Sequence, residues 1–423
     1  MGNRTRRAAL LVVIGLAAAA CGGSSSTTTG GTTPATTSGG TPSETTMAPA
    51  TTAMTGEPLT IGMILVGPQN DHGWSQAHYE AGQYVVEKTG AKLIVVDKVN
   101  PADRPDTSVE QVVDDMVSQG AQLIFATSDD MKDGILAGAA AHPDVPMIWS
   151  SGDSAWQDGK DFAGLDNLGN IMGQMIYGKM IAGCAAALKS DTGSIGYVGP
   201  LINDETRRLV DSAYLGARYC WENYRGEDPA SLQFAVNWIG FWFNIPGVTL
   251  DPTQVTNDFI DGGADVVISG IDTTEAIVRA GQRAAAGETV WAVPYDYQGA
   301  CDEAPDICLG VPYFNWGPAY LATAQAVQSG TFTADWQWNP PDWANINDPD
   351  TSAVGFVEGD GLGDAKAQLD EFIAGLASGD IVLWKGPLSY QDGTAFLADG
   401  ETATDLQIWY MPQLLQGVTG ASS

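Results

Sequence analysis

Apolar runs alternate with amphipathic stretches along the chain from residue 58 onward. Eight runs are dominated by β-branched and aromatic residues, at 59–66, 91–97, 122–128, 145–151, 194–200, 234–238, 265–270 and 289–294. Between them, apolar residues recur at helical spacing, as in SVEQVVDDMVSQGA and TTEAIVRAGQRAAAG. Apolar strands separated by helices are typical of parallel sheets that are covered on both faces. The pattern therefore predicts an α/β protein with doubly wound, three-layer architecture.

The eight predicted strands divide into two groups of four. A turn-rich stretch at 152–170 follows the fourth strand, and a long helix is predicted over 171–190 before the fifth. We therefore expect a first lobe at 58–169 with part of about 298–331, and a second lobe at 170–297 with about 332–412. In such sheets ligands bind beyond the carboxyl ends of the strands. The expected site is a cleft between the lobes, as in bilobed periplasmic binding proteins of type I.

The first 57 residues differ in composition from the rest of the chain. Residues 1–20 combine three Arg, a short apolar stretch and small residues, which is typical of a secretory signal. The stretch is too short and too Ala-rich for a secure membrane span. Cys21 follows three Ala, as in the lipobox of bacterial lipoproteins, where that Cys is acylated. Ordinary signal cleavage with an incidental cysteine is the alternative.

Residues 21–57 are rich in Gly, Ser, Thr and Pro and have almost no apolar content. Such a segment cannot bury a core and behaves as a flexible linker. With a lipid on Cys21, it predicts a globular domain tethered at the extracytoplasmic face of the cell membrane.

The chain is strongly acidic, with 51 Asp and Glu against 19 Lys and Arg and a net charge of −32. The first 20 residues hold three Arg and no acid, so their removal takes the charge to −35. An anionic surface of this size repels nucleic acid, so no nucleic-acid partner is expected. The charge suits a solvated exterior protein, which we expect to be a monomer.

Cysteine usage fits an extracytoplasmic compartment. Beyond Cys21, four cysteines remain, and an even number permits two disulfides. Cys301 and Cys308 flank a short polar loop, which leaves Cys184 and Cys220 as the long-range pair between two predicted helices; free buried thiols are the alternative for that second pair. The chain has no CxxC, and its three His lack ligand spacing, so neither a metal nor a cofactor is expected.

Carboxylates, amides and aromatic rings recur where the predicted strands end. Aromatic faces bury a flat ligand and carboxylates accept its hydrogen bonds, so the recurrence indicates a small-molecule site. The alternative makes the aromatic rings core residues and the acids helix N-caps. GQMIYGKM at 173–180 is close to a phosphate loop but has Met180 where Ser or Thr is required, and no GxSxG is present. No catalytic residues are therefore expected.

Seven stretches, in chain order, resemble the BMP (basic membrane protein), PnrA-like family of substrate-binding lipoproteins of ABC transporters. They are GPQNDHGWSQAHYEAG, LIFATSDDMKDGILAGAAAHPDVPMIW, YGKMIAGCAAALKSDTGSIGYVG, NWIGFWFNIPG, GADVVISGIDTTEAI, VPYDYQ and NWGPAY. The resemblance covers nearly all of 58–410. It implies a purine nucleoside as ligand, a riboflavin-like ligand in a minority of members, and delivery to permease and ATPase subunits.

The resemblance also implies roles for individual residues. Trp74 and Trp242 would stack on the base, and Asp129 would meet the base edge. The ribose hydroxyls would meet Asn70, Asp71 and Asp296. Ser128 and Asp272 complete the expected site.

The chain departs from the family pattern at positions that determine specificity. Trp74 stands where Phe is common, Asp129 and Asp130 replace an aromatic–Gly pair, and Asp272 stands where Gly is frequent. An extracellular sensor of the same fold without a transporter is the alternative function. A nucleoside-cleaving enzyme is a third interpretation.

Overall fold

The computed structural model describes residues 58–423, and these contain two parallel β-sheets with helices packed on them. The predicted α/β class with two doubly wound lobes is confirmed. The expected signal, the linker and Cys21 lie outside the described residues.

The first sheet has six parallel strands in the order β2-β1-β3-β4-β5-β11. The strands are β1 (Thr60–Ile64), β2 (Lys92–Val96), β3 (Leu123–Ala126), β4 (Met147–Ser150), β5 (Leu168–Gly173) and β11 (Trp336–Asn339). The helices of this lobe are α1 (Trp74–Thr89), α2 (Val109–Ser118), α3 (Lys132–Ala141) and α8 (Gly317–Ser329).

The second sheet has five parallel strands in the order β15-β7-β6-β8-β9. The strands are β6 (Ser194–Gly199), β7 (Gln233–Trp238), β8 (Val266–Ser269), β9 (Trp291–Val293) and β15 (Val418–Thr419). The remaining helices are α4 (Met175–Lys189), α5 (Asp204–Asn223), α6 (Pro252–Asp261), α7 (Glu275–Ala285), α9 (Lys366–Ser378) and α10 (Asp405–Trp409). Two antiparallel pairs complete the fold, β10 (Gly310–Phe314) with β12 (Val354–Glu358), and β13 (Leu388–Ser389) with β14 (Ala395–Leu397).

The region between the two sheets differs from the expectation. Turns were expected up to residue 170 and a helix from 171, but β5 occupies Leu168–Gly173 and α4 begins only at Met175. The stretch LGNIMG has weak strand propensity, and its strand is formed by pairing with β4 on one side and β11 on the other. By the same pairing, Trp336–Asn339 lies in the first sheet, although residues from about 332 were expected in the second lobe.

Helices α4 and α5 form the centre of the second lobe. Nearly every residue of α4 is buried, as expected for a helix that is apolar on all sides. A Cβ on Gly183 would lie 1.8 Å from the Ala213 carbonyl oxygen, so glycine permits the two backbones to touch. The disulfide Cys184–Cys220 joins the same two helices, and Cys301–Cys308 closes the short loop before β10. These are the two pairs that the spacing favoured.

Within residues 58–423, no helix is both long enough and apolar enough to span a bilayer.

Candidate functional site

A cavity, here called the inner cavity, lies at the carboxyl ends of the strands and receives side chains from both lobes. The first lobe contributes Trp74, Ser128, Asp129 and Ser151. The second lobe contributes Tyr197, Pro200, Glu205, Thr206, Leu209, Trp242, Gly270, Asp272 and Tyr295. The free space is about 20 Å³, enough for one water molecule, so a larger ligand requires its walls to move apart.

Five of the predicted ligand-binding residues line the inner cavity: Trp74, Ser128, Asp129, Trp242 and Asp272. The cavity joins the ends of strands from two different sheets, as the prediction required. Three predicted residues, Asn70, Asp71 and Asp296, lie outside its lining.

Asp71 acts as the N-terminal cap of α1. Its Oδ1 accepts hydrogen bonds from the backbone N–H groups of Gly73 (3.0 Å) and Gln76 (2.9 Å), and its Oδ2 accepts from Ser75 N–H (3.0 Å). Burial raises the pKa of Asp71, and these backbone bonds oppose the rise. The neighbouring Asn70 is exposed. The helix-cap interpretation therefore describes Asp71, because its oxygens are already engaged by the backbone.

Trp74 is both a core residue and a cavity wall. Its indole Nε1 donates to the Thr127 carbonyl oxygen at 2.6 Å, which anchors the ring to the end of β3. Its edges pack on Phe314 and Trp316, with ring centroids 5.3 and 5.4 Å apart. Only 7% of Trp74 is exposed, and the ring still borders the inner cavity.

Polar contacts join the two lobes across the cleft. The Trp74 backbone N–H donates to the Asp272 carbonyl oxygen at 3.3 Å, and the Asn203 side-chain amide donates to Asp129 Oδ2 at 3.4 Å. At the cleft edge, His72 Nδ1 lies 2.8 Å from Glu303 Oε1. The lobes are therefore in contact in this structure.

Three carboxyl groups border the inner cavity, and burial disfavours the ionised form of each. Burial raises the pKa of Asp129, with Lys132 opposing the rise. Burial raises the pKa of Glu205 to about 7, with Arg208 opposing and Asp129 adding to the rise. Burial and then the Asp296 carboxyl raise the pKa of Asp272 well above its usual range. The cavity can therefore accept hydrogen bonds from a ligand and, where a carboxyl is protonated, donate one.

Asp296 is completely buried and directly follows Tyr295, which lines the inner cavity; its backbone is left-handed, with a φ of 69°. Neither carboxyl oxygen has a hydrogen-bond partner within residues 58–423. Burial raises its pKa well above the usual range, against the opposing effect of Lys179. Lys179 is itself fully buried in α4, donates to the Ser269 carbonyl oxygen at 2.7 Å, and lies 3.2 Å from the centroid of the Tyr295 ring.

Sequence reasoning missed several residues of this region. Lys179 could have been noticed as the lone cation inside the apolar stretch MIYGKMIAGCAAAL. Glu205 lies directly after Asp204 in the first turn of α5. Ser151, at the end of β4, has a φ of 69°, and its hydroxyl has no partner in the described chain; the Trp242 indole N–H is likewise unpartnered there. Left-handed non-glycine residues concentrate at functional sites.

The described residues contain no cluster of His, Cys, Asp and Glu arranged to hold a metal ion.

Comparisons with known proteins agree with this geometry. Residues 59–224 match the family described as Bmp, ABC transporter substrate-binding protein PnrA-like. A purine-binding protein of Brucella abortus (strain 2308) is 28% identical over 364 residues, which cover 86% of this chain and 93% of that protein. An ABC transporter protein of Haloferax volcanii, whose name proposes glucose as its ligand, is 27% identical over 284 residues, 67% of this chain and 64% of that protein.

A solved ABC transporter solute-binding protein from Aeropyrum pernix K1 has the same fold, with a TM-score of 0.60 at 13% identity, covering 79% of this chain and 93% of that one. Substrate-binding proteins of ABC transporters are extracytoplasmic, bind small molecules and interact with a permease, and they are not enzymes. The resemblance found in the sequence is confirmed. Residues 59–224 match the PnrA-like family of ABC transporter substrate-binding proteins, and the chain is a substrate-binding protein of an ABC transporter.

Proposed function

We propose that this protein binds a purine nucleoside, or a similar aromatic heterocycle, in the inner cavity and presents it to an ABC permease for uptake. The observation that carries the proposal is the wall of the cavity, where four aromatic side chains surround acidic groups: Trp74, Tyr197, Trp242 and Tyr295. The purine-binding relative supports the same ligand class.

The chemistry of the walls suits a purine. Stacking of a base on an aromatic ring contributes roughly 1–3 kcal/mol. Ring N–H and exocyclic amino groups can donate to Asp129, Glu205 and Asp272, which line the same cavity. Lobes of this architecture close around a ligand by a hinge motion, so the bound base would contact strand ends of both sheets.

Calorimetric titration of Trp242→Ala tests the site. Trp242 borders the cavity with an unpartnered indole N–H, so its loss removes a stacking face and should weaken binding about ten- to hundredfold. Trp343→Ala, which removes a partly buried ring packed on Tyr177, is the matched control and should bind normally. The ligands are adenosine, guanosine, inosine, riboflavin and glucose. Wild-type affinity in Trp242→Ala for whichever compound binds would refute the site.

Uptake distinguishes transport from sensing. A strain that lacks this protein should lose uptake of labelled nucleoside and regain it on complementation. Unchanged uptake in that strain would favour the sensor alternative, and tight binding of riboflavin alone would favour the flavin alternative. Steady release of free base from nucleoside by the purified protein would revive the enzyme interpretation.

We also propose that Cys21 carries a lipid that holds the protein at the membrane. The Cys21→Ala variant should be released into the medium with unchanged ligand affinity, because the globular part begins beyond the linker. Retention of Cys21→Ala in the membrane fraction would contradict the anchor.

A further inference from the structure

A second cavity, here called the outer chamber, adjoins the inner cavity. The two share Asp129, Ser151 and Glu205 as a common wall. The outer chamber is completed by Lys132, Trp149, Gly152, Asp153, Asp161, Asn203, Asp204, Arg207, Arg208, Trp409 and Tyr410. Its free space is about 310 Å³, which is within the range of small-molecule sites. The outer chamber therefore has space for a second part of the ligand, beside the inner cavity.

Buried polar groups are held in place around the outer chamber. Asp153, 6% exposed, accepts hydrogen bonds from the Tyr410 hydroxyl and from the Trp409 indole N–H, the latter at 3.3 Å. Arg208, 3% exposed, donates to the Trp409 carbonyl oxygen at 3.1 Å and stacks over the Trp409 ring at 4.3 Å. These contacts order the polar wall before any ligand arrives.

One buried polar group on the shared wall has no partner in the part of the chain that the structure describes. The Ser151 hydroxyl, in a residue that is 7% exposed, makes no hydrogen bond within residues 58–423. Glu205, 9% exposed, lies on the same wall, where burial raises its pKa and Arg208 opposes the rise. Buried polar groups normally have partners, so a ligand group is the expected partner of the Ser151 hydroxyl.

The charges of the outer chamber select for hydroxyl groups. Its described lining has three cations, Lys132, Arg207 and Arg208, and five carboxyl groups, Asp129, Asp153, Asp161, Asp204 and Glu205. An acidic excess repels a phosphate. Hydroxyls both donate and accept, so they can pair with carboxylates and cations alike, and the rings of Trp149, Trp409 and Tyr410 offer apolar faces to a sugar.

We propose that the outer chamber binds the sugar of the ligand while the base occupies the inner cavity. The inference rests on the proposed function. It reverses the orientation implied by the family resemblance, in which Asn70, Asp71 and Asp296 hold the ribose. In the structure Asn70 is exposed, and Asp71 accepts backbone hydrogen bonds at the start of α1. Asp296 lines neither the inner cavity nor the outer chamber.

The test is the affinity ratio between a nucleoside and its free base. Wild-type protein is titrated with adenine, adenosine and adenosine monophosphate, and in parallel with hypoxanthine and inosine. The nucleoside should bind at least tenfold more tightly than the base, and the monophosphate more weakly than the nucleoside. Asp153→Asn and Lys132→Gln should each lower nucleoside affinity about tenfold and change base affinity less than about twofold, because hydrogen bonds to charged groups contribute roughly 1.5–3 kcal/mol.

Lys88→Gln is the matched control, since Lys88 pairs with Asp350 on the surface much as Lys132 pairs with Asp161. Thermal melts identify any variant that fails to fold; Lys132, with a side chain 36% exposed, can be replaced without emptying the core. Three results would overturn the inference and leave the proposed function standing. The first is equal wild-type affinity for base and nucleoside, and the second is an equal loss of affinity for both in the two variants. The third is a monophosphate that binds as tightly as the nucleoside. Failure of wild type to bind any purine compound would overturn the proposed function itself.

Discussion

Gly73 lies in the loop before α1, where the backbone of the first lobe meets Asp272 of the second lobe. A Cβ placed on it would lie 1.7 Å from the Asp272 carbonyl oxygen, and Trp74, the next residue, donates its backbone N–H to that same oxygen. No side chain larger than hydrogen fits between the lobes at this point. The close approach of the lobes at this point therefore requires glycine in the loop before α1.

We expect Gly73→Ala to weaken ligand binding about tenfold or more, because the added methyl group opposes the closed arrangement and lowers its population. The melting temperature without ligand should change little, since the open arrangement has no such clash. Small-angle scattering with and without ligand measures closure, and calorimetry measures affinity. Gly262→Ala, in a turn of the second lobe with φ of −77°, is the control. Normal closure and affinity in Gly73→Ala would show that the two backbones can shift enough to accommodate the added methyl group.

Glu205 makes stability depend on pH in a defined direction. Its folded-state pKa, raised by burial to about 7, exceeds the ordinary value of 4.5, so the folded state favours the protonated form. The stability that this proton contributes is fully present below about pH 4.5 and is lost as the pH rises through about 7. The loss is at most about 3 kcal/mol, from 1.36 kcal/mol per pKa unit.

Glu205→Gln should remove this dependence, because glutamine is neutral throughout. Urea unfolding at several pH values should show the variant gaining stability over wild type between about pH 5 and pH 7. Glu227→Gln, at an exposed carboxylate, serves as the control and should follow wild type. A constant difference between Glu205→Gln and wild type across this range would contradict the raised pKa.

At the scale of elements, the α4–α5 pair carries both a close backbone contact and a covalent link. Gly183 and Gly216 bring the helices together, and Cys184–Cys220 joins positions 36 residues apart. Cys301–Cys308 spans only 7 residues. A disulfide constrains the unfolded chain more when it closes a longer loop.

The double variant Cys184→Ala, Cys220→Ala should therefore lose roughly 3–4 kcal/mol of unfolding free energy, against roughly 2–3 kcal/mol for Cys301→Ala, Cys308→Ala. Urea denaturation under non-reducing conditions gives both values. The shorter bridge is the internal control, because each variant loses two sulfur atoms. The reverse order, or no loss in the first variant, would contradict the assignment of the longer bridge to stability.

At the scale of the whole molecule, the net charge of −32 sets the response to salt. Like charges repel more strongly in the compact state than in the extended one, and salt screens exposed charges over a Debye length of about 8–10 Å at physiological ionic strength. The melting temperature should therefore rise as sodium chloride is raised from low to physiological concentration. Sucrose at matched osmolarity is the control, since it does not screen charge. A melting temperature that falls with added salt would show that ion pairs outweigh the repulsion.

The sequence determined the class of fold and predicted a site at the ends of the strands. Continuous apolar runs alternating with helices require parallel strands covered on both faces, and eight of the eleven strands in the two sheets lie at these runs. Ligands bind at the carboxyl ends of such strands, and Trp74, Asp129 and Trp242, which the family resemblance implied as ligand-binding residues, line the cavity found there.

Two strands and the roles of several acidic side chains were decided by the tertiary structure, because the local sequence pattern does not contain them. The strands β5 and β11 exist because each pairs with a neighbour distant in sequence, although LGNIMG resembles a turn or a helix start. Asp71 and Asp272 look alike at strand ends, but the oxygens of Asp71 bond to the N–H groups of α1, whereas the Asp272 carboxyl borders the cavity. Glu205 joins the site only because α5 directs its first turn into the cleft, where burial and Arg208 set its pKa. Such roles follow from which groups surround a side chain, and only the packed structure determines those neighbours.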